Sequence, residues 1–408
     1  MEKEKVLQYI DGHVTAKWNG CSRVPFTKKE WEACYLKAFT LSEKKANEAA
    51  VSKFLKGIQK NKIDFETFLD EENFLCIREY MGIPLFQDYL KSMCSFLRAT
   101  REYDKNITAS QIWQALRNYL IFGMIVAMTG EKQTFHDAIM GFSLLYPYTD
   151  NYIDDTTISG KDKDAFNRMI YDTLRGADPS VTDALQRKTK QCVEMCRNYR
   201  GGSCKEEASK LCLLMLDAQA KSTAFMGMTE KDYETKKAEI LDMLAYKGGM
   251  SVLIDYFFSV PEMDEKGIIF YRQFGLLLQM ADDIQDIGDD LKSETPTFFS
   301  EVGSVAERDA NLYQLMHFTR EIFEAYDSGE YPVRRFMLRN CLILYMSAVL
   351  RSEAFFSEEL KAGLEPYLPF RTEFASRLEK DFRVTEDMTA AEQETFFRMI
   401  DRLCDSVK

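Results

Sequence analysis

The segment Gly275–Asp290 reads GLLLQMADDIQDIGDD, an apolar start that turns abruptly acidic. Wound as an α-helix, it carries Gln279, Asp282, Asp283 and Asp286 on one broad face. On that helix Asp282 and Asp286 lie roughly 40° apart, and Asp283 and Asp286 roughly 60° apart. Carboxylates crowded in this way repel one another unless a cation stands among them. A hard divalent ion with oxygen ligands, Mg²⁺ above all, meets that need. Immediately upstream, Phe274–Leu278 is apolar and Ile268–Tyr271 mostly so. The acids therefore grow out of a largely buried helix, not a polar surface one.

The surrounding chain favours long helices. Its 408 residues include only 20 Gly and 9 Pro, so few positions interrupt an element. Hydrophobic residues at 46% and charged residues at 29% describe a globular protein with a substantial core. The 29 Phe, 20 Tyr and 20 Met fill that core in the ordinary reading; in the sharper one, some line a large apolar cavity. A net charge of −12 with no basic stripe argues against nucleic acid and against a polybasic membrane anchor. The ten Cys lack zinc-site spacing and the three His are far apart, so the cysteines read as reduced and structural. The N-terminus, MEKEKVLQYI, has no signal-peptide apolar run, and the apolar segments near Tyr119–Met128 and Leu342–Leu350 are too short or interrupted to span a bilayer. The expectation is a cytoplasmic protein without a transmembrane segment.

Thr27 with Glu30 and Thr389 with Glu392 are capping boxes that open helices. Gly82 and Pro84 mark a stop and a restart. From Ser110 an apolar helix runs through Trp113, Leu116, Tyr119, Phe122 and Ile125 to Gly130, apolar on most sides and so expected deep in a bundle. Phe135–Asp155, FHDAIMGFSLLYPYTDNYIDD, is apolar until Pro147, which is expected to kink or restart a helix. Asp150, Asp154 and Asp155 follow, the first two stacked at i, i+4. Alone, this second cluster reads more readily as an N-terminal helix turn decorated with acids than as a site. At Lys247-Gly248-Gly249 two glycines interrupt an apolar helical run. They predict either a break whose freed backbone groups and Lys247 face a ligand, or a plain helix C-cap. No repeat, low-complexity linker or domain boundary is visible. The chain reads as a single all-α domain over 1–408, with N-terminal helices 1–109 and C-terminal helices 300–408 packed on a catalytic core over 110–299.

Two acid clusters, each closing an apolar helix, can face each other across a bundle and hold Mg²⁺ at the mouth of an apolar cavity. A diphosphate leaving group suits that mouth, since bound Mg²⁺ neutralises the charge that develops as its C–O bond breaks. Lys247, Lys292 and Gln279 are the candidates for holding the same group. An apolar, aromatic cavity beneath would shield an allylic carbocation from water.

These residues resemble a family. Gly275, Gln279, Asp282, Asp283 and Asp286 fit the GxxxQxxDDxxD pattern of the second aspartate-rich motif of trans-isoprenyl diphosphate synthases. Lys247-Gly248 sits where those enzymes carry a Lys-Thr helix break. Asp150-Asn151-Tyr152-Ile153-Asp154-Asp155 is a DxxxDD variant similar to the first motif of squalene synthases and of the large bacterial terpene synthases of the tetraprenyl-beta-curcumene synthase type. The resemblance covers Ser110 to Phe299. It implies the class I isoprenoid synthase fold, a helical bundle around a central apolar cavity. It also implies that Asp150, Asp154, Asp282 and Asp286 ligate Mg²⁺, with Asp155 and Asp283 as helpers.

The departures narrow the reaction. After Asp155 the chain reads TTISGKDK, without the arginine pair of chain-elongating enzymes. Their N-terminal Gly-Lys…Arg element and the NSE-type motif of typical terpene cyclases are also absent. The leading expectation is a Mg²⁺-dependent terpene synthase that ionises one allylic prenyl diphosphate and cyclises or eliminates to a terpene. The alternatives are a prenyltransferase, elongating or coupling head to head, and a non-catalytic helical prenyl-binding protein. The oligomeric state stays open, a homodimer through helix faces being one expectation.

Overall fold

Thr27, Thr40, Thr108 and Thr389 open four helices by one device: each hydroxyl accepts from the backbone N–H three residues on, and the Glu or Gln there reaches back. The two boxes read from sequence, at Thr27 and Thr389, are among them. In the computed structural model the chain is an all-α bundle. The described residues are 14–60, 62–155, 157–222, 230–293, 297–300, 302–326, 332–382, 384–385 and 387–407, and no strand occurs among them.

An N-terminal group comprises α1 (14–20), α2 (Lys28–Ala33), α3 (Leu41–Gln59), α4 (Phe65–Glu71) and α5 (Ile77–Tyr80). Gly82, at φ 73°, then turns the chain into α6 (Ile83–Tyr103), whose first turn holds Pro84. The central group is α7 (Ala109–Thr129), α8 (Asp137–Asp154), α9 (Gly160–Leu174), α10 (Ala184–Arg197), α11 (Gly202–Ser222), α12 (Glu230–Ser259) and α13 (Glu265–Gln285). After the short α14 (Ile287–Ser293) come α15 (Val305–Tyr326), α16 (Pro332–Arg351), α17 (Glu358–Leu364), α18 (Thr372–Phe382) and α19 (Ala390–Ser406). Buried apolar side chains from Val14 to Cys404 form one connected core, with a small satellite of Val51, Phe74 and Phe374. As expected, α7 is buried on most sides. All ten cysteines are free thiols. Among the described residues no helix is long and apolar enough to cross a membrane.

One expectation is corrected. Gly248 and Gly249 neither break nor cap a helix: α12 runs unbroken through both. Their role is packing. A Cβ on Gly275 would overlap the Gly248 carbonyl, one on Gly248 would press on Gly275 and Gln279, and one on Gly249 would strike the buried Arg272. The absent side chains let α12 and α13 touch backbone to backbone, which outweighs the helix propensity lost. Pro147, for its part, lies inside α8 without restarting it.

Candidate active site

Cross-helix pairs fix which ends meet. On α8 and α12, His136 Nε2 lies 3.3 Å from the Phe258 carbonyl, and the Tyr146 and Ser251 hydroxyls bond. The helices are therefore antiparallel, and the same register brings Asp150 to Lys247. Between α7 and α8, Asn118 Nδ2 donates to Ser143 Oγ at 3.0 Å and Gln114 Nε2 to Asn151 Oδ1 at 3.5 Å, again antiparallel. Gly248 against Gly275, and Tyr256 against Gly267, make α12 and α13 antiparallel too. The acidic C-terminal ends of α8 and α13 thus lie at one end of the bundle, with the N-terminal part of α7 beside them.

The first cluster borders an apolar cleft. Asp150 and Lys247 line it together with Phe142, Leu145, Tyr146 and Met215, and its volume is about 110 Å³. That is small beside the roughly 300–1,000 Å³ usual for ligand pockets. Thr149 Oγ1 donates to Asp150 Oδ1 at 3.3 Å. Asp154 closes α8, and its side chain lies outside the described residues. Asp155 is exposed, and its Oδ1 accepts from the Thr157 N–H (2.8 Å) and hydroxyl (2.6 Å), a local turn that holds its carboxyl below the ordinary range.

The second cluster splits by environment. The helix does not run straight through the acids: Asp286, at φ −103° and ψ 8°, separates α13 from α14. There the Gln285 carbonyl accepts from Ser352 Oγ at 3.0 Å. Asp282 pairs with Arg117 Nη2 of α7 at 2.7 Å, and Asp286 with Arg351 Nη2 of α16 at 3.4 Å. Asp283 instead turns into the core, 3% exposed, and accepts from Gln279 Nε2 (3.2 Å) and the Phe298 N–H (3.3 Å). Burial raises Asp283 to about 7, against the Gln279 hydrogen bond and with help from the charge of Asp282. Asp290 also rises to about 7, through burial first, although Thr297 Oγ1 donates to it at 3.1 Å. Burial and then the charge of Asp282 raise Asp286, while Arg351 and Arg117 oppose the shift. Lys292 is exposed and paired with Asp289 at 2.8 Å. Gln279 orients Asp283, and its Cβ lies over Gly248.

Deeper on the α7–α8–α12 side, Asn118 also donates to Asp255 Oδ1 at 3.2 Å. Asp255 is fully buried, burial pushes its carboxyl well above the usual range, and among the described residues its Oδ2 has no hydrogen-bond partner.

Among the described residues no three His, Cys, Asp or Glu side chains converge as a ready-made metal site. Mg²⁺ does not require one, because it keeps several waters and is usually held by one or two carboxylates plus phosphate oxygens. The all-oxygen set of Asp150, Asp282 and Asp286 suits it in kind. Asp286, raised in part by the charge of Asp282, has the most to gain from a cation beside it. No family model, curated protein or solved structure matches the chain.

Sequence reasoning missed Arg117, Arg351 and Asp255. Arg117 had a signal: it is the only charged residue between Ala109 and Gly130. A charge in so apolar a helix needs a partner or an exposed edge.

Proposed function

We propose that the protein is a Mg²⁺-dependent enzyme of the class I terpene synthase kind, which ionises an allylic prenyl diphosphate and cyclises or eliminates to a terpene. One observation carries the reading: antiparallel packing gathers Asp150 and Lys247 at an apolar cleft, at the same bundle end as the arginine-paired Asp282 and Asp286. Asp150, Asp282 and Asp286 would hold Mg²⁺, which when bound supplies charge neutralisation at the leaving diphosphate. Lys247 stands where it can pair with the same anion. The apolar wall of Phe142, Leu145 and Met215 takes the hydrocarbon and keeps water from it. At about 110 Å³ the cleft must widen to admit a prenyl chain, as lids and helices do around many substrates. Cyclisation is favoured over coupling because the chain after Asp155 offers no arginine pair for a second diphosphate.

The test is incubation of purified protein with Mg²⁺ and allylic prenyl diphosphates of increasing length, with diphosphate release assayed and extracts analysed by gas chromatography and mass spectrometry. The expected result is a terpene from a single substrate. Product that requires a second prenyl substrate would favour a prenyltransferase, and no diphosphate release from any substrate would overturn both readings.

A further inference from the structure

We propose that Arg117 has two alternating partners: Asp282 in the metal-free protein, and the anionic diphosphate once a divalent cation takes Asp282. This rests on the function proposed above and adds a residue that the aspartate motifs do not include.

Position comes first. Arg117 and Gln114 are three residues apart on α7 and so share a face. Gln114 reaches Asn151, next to Asp150, while Arg117 reaches Asp282. One helix face therefore touches both acidic segments, and Arg117 stands where an anion held between them would lie. Strength comes second. The pair is half open to water, with the Arg117 side chain 55% exposed and that of Asp282 41% exposed. Ion pairs in such surroundings are weak and easily exchanged. A divalent cation on Asp282 would repel the guanidinium and take its acceptor. Chemistry comes third. Guanidinium is a rigid fork of donors that matches phosphate oxygens two at a time, and it never deprotonates. Displaced from Asp282, it remains a cation beside a newly bound anion. No covalent step is involved; one ion pair is exchanged for another.

The test measures Mn²⁺ binding by electron paramagnetic resonance, with and without inorganic diphosphate, for wild type and Arg117→Gln. Without diphosphate, removing an internal competitor tightens Mn²⁺ binding, by about threefold for a weak exposed pair. With diphosphate, removing the guanidinium weakens joint binding, by about tenfold for a lost bidentate contact. This reversal of sign is the signature, since a merely structural defect would weaken both. Arg117→Lys, which keeps the charge but not the fork, should bind Mn²⁺ alone as wild type does and lose part of the diphosphate-dependent affinity. It also serves if Arg117→Gln fails to fold. Changes of the same sign, or none, alongside normal wild-type binding of Mn²⁺ and diphosphate would overturn the exchange and leave the proposed function standing. If wild type binds no Mn²⁺ in either condition, both fall.

Discussion

The acidic ends of α8 and α13 have similar compositions and opposite surroundings. At α8, Asp150 stands at an apolar cleft opposite a lysine, and Asp155 is spent on its own turn. At α13, Asp282 and Asp286 are bracketed by arginines from two other helices, while Asp283 is buried beneath them. Acidic residues in a row are thus not one kind of group. Their chemistry is set by which helix packs behind each one, and only some remain available to a cation.

The strongest way to break the comparison is to treat the ends as independent. Asp150→Ala and Asp282→Ala should each lower kcat/KM roughly 10²–10³-fold, the scale of losing one preorganised charge-stabilising contact. If the two ends form one site, the double variant falls little further than the worse single one. Fully multiplicative losses in steady-state kinetics would separate the clusters. Next in size is a pair of glycines. Gly275→Ala drives a methyl into the Gly248 carbonyl and should cost about 1–3 kcal/mol in urea unfolding, as overpacking does. Gly160→Ala, at the start of α9 with open space around it, should be neutral or slightly stabilising. Equal effects would mean that the α12–α13 contact is not tight.

The far end of α8 gives a smaller, graded effect. His136 caps that helix by accepting from the Ile139 N–H at Nδ1, so its Nε2–H donates to the Phe258 carbonyl. Burial lowers its pKa from 6.5 to about 4. Between those values the unfolded chain binds a proton that the folded chain refuses. Its stabilising contribution is therefore complete above pH 6.5 and is lost as pH falls towards 4, at up to about 1.4 kcal/mol per pH unit. Asp283 and Asp290, raised to about 7, change stability in the opposite sense over the same range, so the slope is read as the difference between urea melts of wild type and of His136→Asn, which keeps a capping acceptor. The smallest effect belongs to Asp155→Asn, expected to leave turnover at the wild-type level. A loss on the scale of Asp150→Ala would return Asp155 to the site.

Much of the fold was legible because it is local. The boxes at Thr27 and Thr389, the Gly82–Pro84 restart, and the apolar run ended by Gly130 all lie within a few residues of what they control. The candidate acids were legible for the same reason. What could not be read depends on partners distant in the chain. Gly248 looked like a helix break because its reason for being glycine is 27 positions away, at Gly275. The burial of Asp283 could not be read because Phe298 and the core behind it leave no mark on the helical face it shares with Asp282. Arg117 meets Asp282 across 165 positions, and no spacing rule reaches so far.

Backbones that meet without side chains between them cannot slide past one another. The Gly248–Gly275 contact therefore joins α12 and α13 into a single stiff plate, and the second cluster rides on it. If the cleft takes the prenyl chain proposed above, its widening must come from α8 to α11, whose side chains make the other walls of the cleft. In hydrogen exchange, amides around positions 248 and 275 should open only with the whole protein, while those of α9 and α11 should open earlier and locally. Half of the site would then act as an anvil and half as a jaw.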